Sequence, residues 1–175
     1  HHRIRCAGHI INLVVKATLY GSGVSKFEEE LAQVGTVEQF KLYRNHGVDG
    51  KLHNFVNAVC ASHKRRELFK CCQKEITDDD ALWGYFTLAL IQDGGVRWHS
   101  VYLMLIRCHE LKSAIRAFQR QIRSNNDLSS DAVTYSALED HISDDDWDEV
   151  AELAQFLEIP FEMTRRLEGS NSISG

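Results

Sequence analysis

The sequence predicts a mainly α-helical protein with roughly six to eight helices. Its 175 residues include a single proline, Pro160, and β-branched residues seldom occur in runs. Apolar residues recur every three or four positions through most of the chain, which places them on one face of a helix. With 43% hydrophobic and 26% charged residues, the chain has the composition of a folded protein and the length of one domain or a domain fragment.

The first predicted helix runs from Cys6 to Tyr20, and Gly21 is placed to end it. Its apolar residues cover nearly the whole circumference, so we expect it to lie in a core. These residues are Ile10, Ile11, Leu13, Val14, Val15, Ala17 and Leu19.

Two amphipathic surface helices follow. Ser25 is the predicted cap of the first, "KFEEELAQV", which has acidic residues in its first turn. Thr36 is the predicted cap of the second, "TVEQFKLYRNH", and Gly47 is its predicted end.

The middle of the chain contains longer apolar stretches. Residues from Lys51 to Cys72 predict one bent helix or two short helices with a break near Ser62. The run "YFTLALIQ" is open between strand and buried helix, because periodicity cannot decide so short a run. After a glycine pair, the clearest helix runs from Ser100 to about Arg123.

The last predicted helix begins after Ser143 and the acidic residues 144–146, which act as its cap. Its apolar side extends from Trp147 to Leu157, and Pro160 either kinks the helix or starts a further turn.

The net charge of −5 conceals an asymmetry along the chain. Residues 1–76 contain 12 Lys and Arg against 7 Asp and Glu, whereas residues 77–175 contain 8 against 18. A nucleic-acid contact in the first half is therefore not excluded. Five cysteines without framework spacing favour reduced thiols, and no run reaches the ~20 apolar residues of a membrane span. We expect a soluble intracellular protein.

Two Cys-x-x-His pairs, Cys6 with His9 and Cys60 with His63, supply the four ligand types of a tetrahedral zinc site. With five Cys and nine His in the chain, such pairs also arise by chance, so zinc is the less favoured interpretation. The acidic runs 78–80 and 144–146 resemble two-metal carboxylates, but each precedes a helical pattern and is better explained as a cap. We find no nucleophile motif, phosphate loop or dinucleotide fingerprint.

Three segments are candidates for nucleic-acid contact. The basic cluster "HKRRELFK" and the Arg-rich helix from Arg107 to Arg123 either contact phosphates or form solvated helix faces. In "DGGVRWHS", residues 93–100, Trp98 is either a core anchor or a platform for an unstacked base, with Arg97 on an adjacent phosphate.

Several segments taken in order resemble the hAT superfamily of DNA transposases, particularly its fungal copies. They are "RCAGHIINLVV", "GKLHNFVNAVCASHKRRELFK", "GGVRWHSVYLMLIRCHELKSAI" and "DWDEVAELAQFLEIPFEMTRRLEG". The resemblance covers nearly the whole chain, and the order of the motifs makes it specific. The Arg-Trp motif departs from the usual Thr-Arg-Trp-Asn-Ser, since Val96 precedes the pair and His99 replaces the asparagine.

The resemblance implies an RNase H-like catalytic core interrupted by a helical insertion domain. Residues 1–21 would be one helix of that core and residues 22–175 the insertion domain. Cys6 and His9 would lie near the active site. Arg97 and Trp98 would be the DNA-binding residues at the transposon end, with the tryptophan near a flipped base.

The resemblance also implies where catalysis resides. The three metal-binding carboxylates would fall before His1 and after Gly175, so the complete enzyme would use Mg²⁺ or Mn²⁺ while this chain binds no metal and is inactive alone. The implied partners are DNA ends and a second copy of the chain, with no membrane and no small-molecule substrate, and the implied location is the nucleus. The alternative is a degenerate or domesticated copy that serves as a helical protein-interaction module.

Overall fold

The computed structural model describes residues 7–76, 87–94, 98–124 and 139–171. These ranges contain eight α-helices, one short 3-10 helix and no strand, which confirms the mainly α-helical class. The helices are α1 (Ala7–Tyr20), the 3-10 turn (Gly21–Gly23), α2 (Val24–Gln33), α3 (Thr36–Arg44), α4 (Val48–Ala61), α5 (His63–Ile76), α6 (Trp98–Glu110), α7 (Lys112–Ser124) and α8 (Asp144–Asn171).

Helix α4 is the central element of the core. It contacts α3, α5, α6 and α8, while α5 packs on α7 and α6 packs on α8. Leu52, Phe55 and Val56 on α4 are completely buried. Two glycines set how α4 begins. Gly47 adopts a φ of 113°, and Gly50 lies so close to α3 that a Cβ there would be 1.7 Å from the Tyr43 carbonyl oxygen.

The predicted break near Ser62 is confirmed, because Ser62 is extended (φ −120°, ψ 126°) between α4 and α5. The predicted caps Ser25 and Thr36 are wrong. Helix α2 begins at Val24 after the 3-10 turn, and the Gly35 carbonyl already accepts the first helical bond of α3, from the Gln39 N–H at 3.0 Å. The N-cap residues are therefore Gly23 and Gly35, and neither helix start receives a side-chain capping bond.

The predicted end of the third helix is also shifted. Helix α3 ends at Arg44. Gly47 instead precedes α4, and the Gly47 carbonyl accepts a hydrogen bond from the Lys51 N–H at 3.1 Å. The predicted helix from Ser100 to Arg123 is two helices that meet at Leu111. The bonding pattern still crosses the junction, since the Leu111 N–H donates to the Arg107 carbonyl at 3.1 Å.

The run "YFTLALIQ" is open between strand and helix by periodicity alone. Its described part, residues 87–92, forms neither. Side chains hold it instead. The Gln73 amide accepts from the Leu88 N–H at 2.9 Å and donates to the Leu88 carbonyl at 3.1 Å. Arg107 donates to the Ala89 carbonyl at 2.6 Å.

Helix α1 does not lie in a core in the way its composition predicts. Val15 is buried, and Ile11 and Leu19 pack against the core where α1 meets α6 and α8. Ile10 and Val14, however, are 51% and 58% exposed. The stripe of Ile11, Val15 and Leu19 is covered, whereas the stripe of Ile10 and Val14 is not. The reason is that the helices that contact α1 within the described ranges lie on one side of it. The predicted domain boundary at residue 21 stays a prediction.

The predicted cap of the last helix is confirmed. Ser143 Oγ accepts from the Asp146 N–H at 3.1 Å, and the Asp146 carboxylate accepts from the Ser143 N–H at 2.7 Å, which is a reciprocal capping box. Lys51 donates to the same carboxylate at 2.8 Å. Pro160 lies inside α8, which continues to Asn171.

We expect Asp146→Asn to lower the free energy of unfolding by about 1–2 kcal/mol at neutral pH. Burial would raise the pKa of Asp146, but Lys51 and the two Ser143 donors outweigh burial and hold the pKa below its ordinary 3.8. The stabilisation is therefore complete above the unfolded-state pKa and is lost as pH falls through the lower folded-state pKa.

Urea unfolding at pH 7 and near pH 3 measures this effect. The difference between wild type and Asp146→Asn should be smaller at the acidic pH. The control is Asp145→Asn on the same turn, where the exposed side chain should change stability by less than about 0.5 kcal/mol. Equal effects of the two substitutions would contradict the capping argument.

Candidate nucleic-acid interface

The motif of residues 93–100 enters the fold at the start of α6. Trp98 is the first residue of this helix and is only 5% exposed, as a member of the core. Arg97 lies outside the described residues. Of the two interpretations of Trp98, the core anchor is the one that this conformation displays. The proposed DNA contact of Arg97 and Trp98 stays a prediction.

The motif is attached to α4 through Asp93. Its carboxylate lies 2.6 Å from His53 Nδ1, and the two side chains are 4% and 14% exposed. A carboxylate this buried needs a hydrogen-bonded partner, because leaving it unpaired is costly. His53 supplies that partner from a position 40 residues earlier in the chain.

Two further side chains continue this contact as a chain of hydrogen bonds. Asn57 Nδ2 lies 2.9 Å from His53 Nε2, and Gln92 Nε2 donates to Asn57 Oδ1 at 2.7 Å. Donors and acceptors agree along the chain when His53 carries its proton on Nδ1 and accepts at Nε2. Both ring nitrogens are then engaged.

The face of the His53 ring is also occupied. Tyr43 stacks on it with ring centroids 3.6 Å apart and an interplanar angle of 15°. Burial, with the charges of Asp93 and Asp49, raises the pKa of Tyr43 to about 12, so its hydroxyl stays protonated at neutral pH. Both rings line a cavity of about 200 Å³ between α3 and α4. Its other lining residues are Thr36, Gln39, Phe40, Asn54 and Asn57.

A second bond joins the two sides of the motif. The Gly94 N–H donates to Ser100 Oγ at 2.8 Å, so residues 94 and 100 are close in space. Asp93, Gly94, Trp98 and Ser100 are therefore all fixed to α4, to α6 or to the core.

The structure brings the two basic segments together, since α5 and α7 pack against each other. The two helices contain nine Lys and Arg against two Glu. Their cations differ in how they are used. Arg65 is buried and Lys70 pairs with Glu67 at 2.7 Å, while Arg116 pairs with Asp144.

Four cations of this pair of helices are exposed and make neither an ion pair nor a side-chain hydrogen bond within the described residues, whereas the exposed Arg66 donates to the Cys60 carbonyl. The four are Lys64, Lys74, Arg120 and Arg123. We call these four residues the α5–α7 basic face. The predicted Arg-rich stretch therefore contributes to the surface mainly through its second half, because Arg107 at its start is tied to Glu110 at 2.9 Å.

Of the two Cys-x-x-His pairs, only the side chains of Cys60 and His63 lie within the described residues. Cys60 lies at the end of α4, where burial raises the pKa of its thiol although nearby Arg66 opposes this, and His63 is exposed at the start of α5. Cys6 and the side chain of His9 lie outside the described residues.

The acidic runs do not form a metal centre in the part of the chain that is described. There, no three side chains of His, Cys, Asp and Glu are grouped as metal ligands. Residues 144–146 form the first turn of α8, where Asp146 completes the cap with Ser143, and residues 78–80 lie outside the described ranges. No helix within those ranges is long and apolar enough to cross a membrane.

Within the described ranges the chain is a helical domain in which the start of α6 is anchored to the core through Trp98 and to α4 through Asp93. A family model described as the ZBED1 RNase-like helical domain matches residues 4–156, so the chain belongs to this hAT-related, transposase-derived family. Neither a curated protein nor a solved structure matches the chain.

Sequence reasoning missed His53, Asn57 and Tyr43. His53 lies in a stretch whose apolar spacing already predicts a helix without any role for His53. Nothing in that local pattern points to residue 93. The only available signal was an aspartate at the head of the motif, which needs a partner if it is buried.

Proposed function

We propose that this chain is the DNA-end-contacting and scaffolding part of a fungal-type hAT cut-and-paste transposase. Arg97 and Trp98 belong to the part that meets the transposon end, and Cys6 and His9 lie beside the active site of the complete enzyme. The catalytic carboxylates and their Mg²⁺ or Mn²⁺ belong to sequence outside residues 1–175. Work on chromosomal DNA implies a nuclear location.

The observation that carries this proposal is the family match over residues 4–156, which includes the whole Arg-Trp motif. The attachment of the motif supports it. A residue that positions a DNA end needs a rigid support, and Asp93 and Trp98 on either side of residues 94–97 are both buried against α4 or the core.

Burial sharpens the role that we propose for Trp98. A ring that is 5% exposed cannot stack on a base unless it leaves the core. We therefore propose that Trp98 anchors the motif in the unbound protein and that Arg97 makes the phosphate contact. The α5–α7 basic face would add sequence-independent phosphate contacts.

The proposal is tested by fluorescence anisotropy of the chain with a short fluorescein-labelled DNA duplex. We expect Arg97→Ala to weaken binding about tenfold, because one charge-assisted hydrogen bond is lost. The salt slope, which is the slope of log K against log salt concentration, should fall in magnitude by about one. The matched control is Arg165→Ala on α8, where the side chain is 69% exposed and, among the described residues, pairs with Glu162 at 3.2 Å. If Arg97→Ala binds as tightly as wild type, the proposed contact is wrong.

A second candidate function is protein association by a domesticated or degenerate copy. The observation that favours it is exposed apolar surface on α1 and α8, two helices in contact. On α8, Ile159 and Met163 are 68% and 50% exposed. Apolar surface of this kind marks association sites. Sedimentation of the chain distinguishes the two: a stable dimer without DNA affinity supports association, and a DNA-binding monomer supports the first proposal.

A further inference from the structure

We propose that His53 is a positioning residue for the DNA-contacting motif, acting through Asp93. This inference rests on the proposed function, because it assigns His53 the task of holding the segment to which Arg97 belongs. His53 itself touches no DNA in this proposal.

The contact between His53 and Asp93 is short and buried, so it restrains both side chains. Its 2.6 Å distance joins two side chains that are 14% and 4% exposed, so water competes little for either partner. The ring cannot turn away without losing Asn57 at 2.9 Å and the Tyr43 stack at 3.6 Å. His53 is therefore held on both nitrogens and on one face.

The segment that receives this contact depends on side chains for its position. Residues 87–94 form no helix or strand, so their backbone lacks a regular hydrogen-bond ladder. Gln73 and Arg107 hold the first half at Leu88 and Ala89. His53 holds the second half at Asp93, the first residue of the motif. Loss of His53 would free the Asp93 side chain and leave this end of the segment held by the hydrogen bonds of Gln92 with Asn57 and of Gly94 with Ser100.

The chain offers a matched control in His46. Its Nδ1 lies 3.5 Å from Asp49, the two side chains are 17% and 13% exposed, and Phe27 packs on its ring with centroids 4.9 Å apart. This pair has the same chemistry and similar burial, but it joins residues three apart in sequence and does not involve the motif.

The experiment compares His53→Ala, His53→Gln and His46→Ala by anisotropy with the same fluorescein-labelled duplex, and follows thermal unfolding in parallel. We expect His53→Ala to weaken binding about fivefold to tenfold and to lower the salt slope by about one, as Arg97→Ala does. His53→Gln should recover part of the affinity, because its amide N–H can donate to Asp93. His46→Ala should bind like wild type.

A double variant separates positioning from general stability. If His53 acts through the motif, His53→Ala combined with Arg97→Ala should bind no more weakly than Arg97→Ala alone. If the two losses multiply, His53 is only structural and the inference is wrong. Asp93→Asn, which preserves the size of the side chain, serves the same comparison if His53→Ala does not fold.

The two proposals fail in distinguishable ways. Wild-type binding by His53→Ala, with weakened binding by Arg97→Ala, overturns the positioning role and leaves the proposed function standing. Wild-type binding by Arg97→Ala overturns the proposed function and, with it, the inference.

Discussion

Arg44→Ala should lower the free energy of unfolding by about 3–5 kcal/mol, because it leaves a fully buried carboxylate without its counter-charge. The carboxylate is that of Asp140, which is 0% exposed. Arg44 donates to it through Nε at 2.7 Å and through a terminal nitrogen at 2.8 Å. This fork joins α3 to the segment that leads into α8.

The surroundings of Asp140 explain why the loss is large. Asn54 on α4 donates to the same carboxylate at 3.2 Å, and Gln119 on α7 donates to the Asp140 backbone carbonyl at 3.1 Å. One residue thus connects three helices. These remaining neutral donors cannot replace a guanidinium opposite a buried charge.

Chemical denaturation of two further variants tests the explanation. Arg44→Ala with Asp140→Ala should be more stable than Arg44→Ala alone, because the unpaired charge is then removed. Lys26→Ala removes an exposed ion pair with Glu30, where the Lys26 side chain is 81% exposed, and should cost less than about 0.5 kcal/mol. An Arg44→Ala variant as stable as Lys26→Ala would contradict this account of the core.

Phe118→Ala should also cost about 3–5 kcal/mol, because it opens a cavity where three helices meet. Phe118 on α7 is completely buried between Phe55 on α4 and Phe69 on α5, with both ring centroids 5.7 Å from its own. Phe55 and Phe69 are themselves 6.0 Å apart. The three rings meet edge to face, a favourable aromatic geometry.

The same substitution at an exposed phenylalanine provides the control. Phe156 on α8 is 47% exposed, so Phe156→Ala should cost less than about 1 kcal/mol. Urea unfolding compares the two. Near-equal losses would mean that the three-ring cluster is not the centre of the core.

Helix positions were largely predictable because periodicity records which face each segment buries. The break at Ser62 and the capping box at Ser143 and Asp146 follow from residue types that act within four positions of each other. Helix starts were predicted less well. Gly23 and Gly35 are the N-cap residues of α2 and α3. The predicted caps lie inside these helices, Ser25 as the second residue of α2 and Thr36 as the first residue of α3.

The candidate site was predicted only in its local part. The Arg-Trp motif could be identified from residues 93–100, and the burial of Trp98 matches one of its two interpretations. The partner of Asp93 could not be identified, since His53 lies 40 residues away on a helix whose own pattern is complete without it.

The helical class, most helix spans and the motif could be predicted from residue order alone, because each depends on side-chain spacing within a few turns. The covered apolar stripes, the solvent-facing cations and the partner of Asp93 became visible only in the folded chain. Those outcomes depend on which helices become neighbours, as α5 with α7 and α4 with residues 87–94, and contacts between distant segments leave no periodic trace in the sequence.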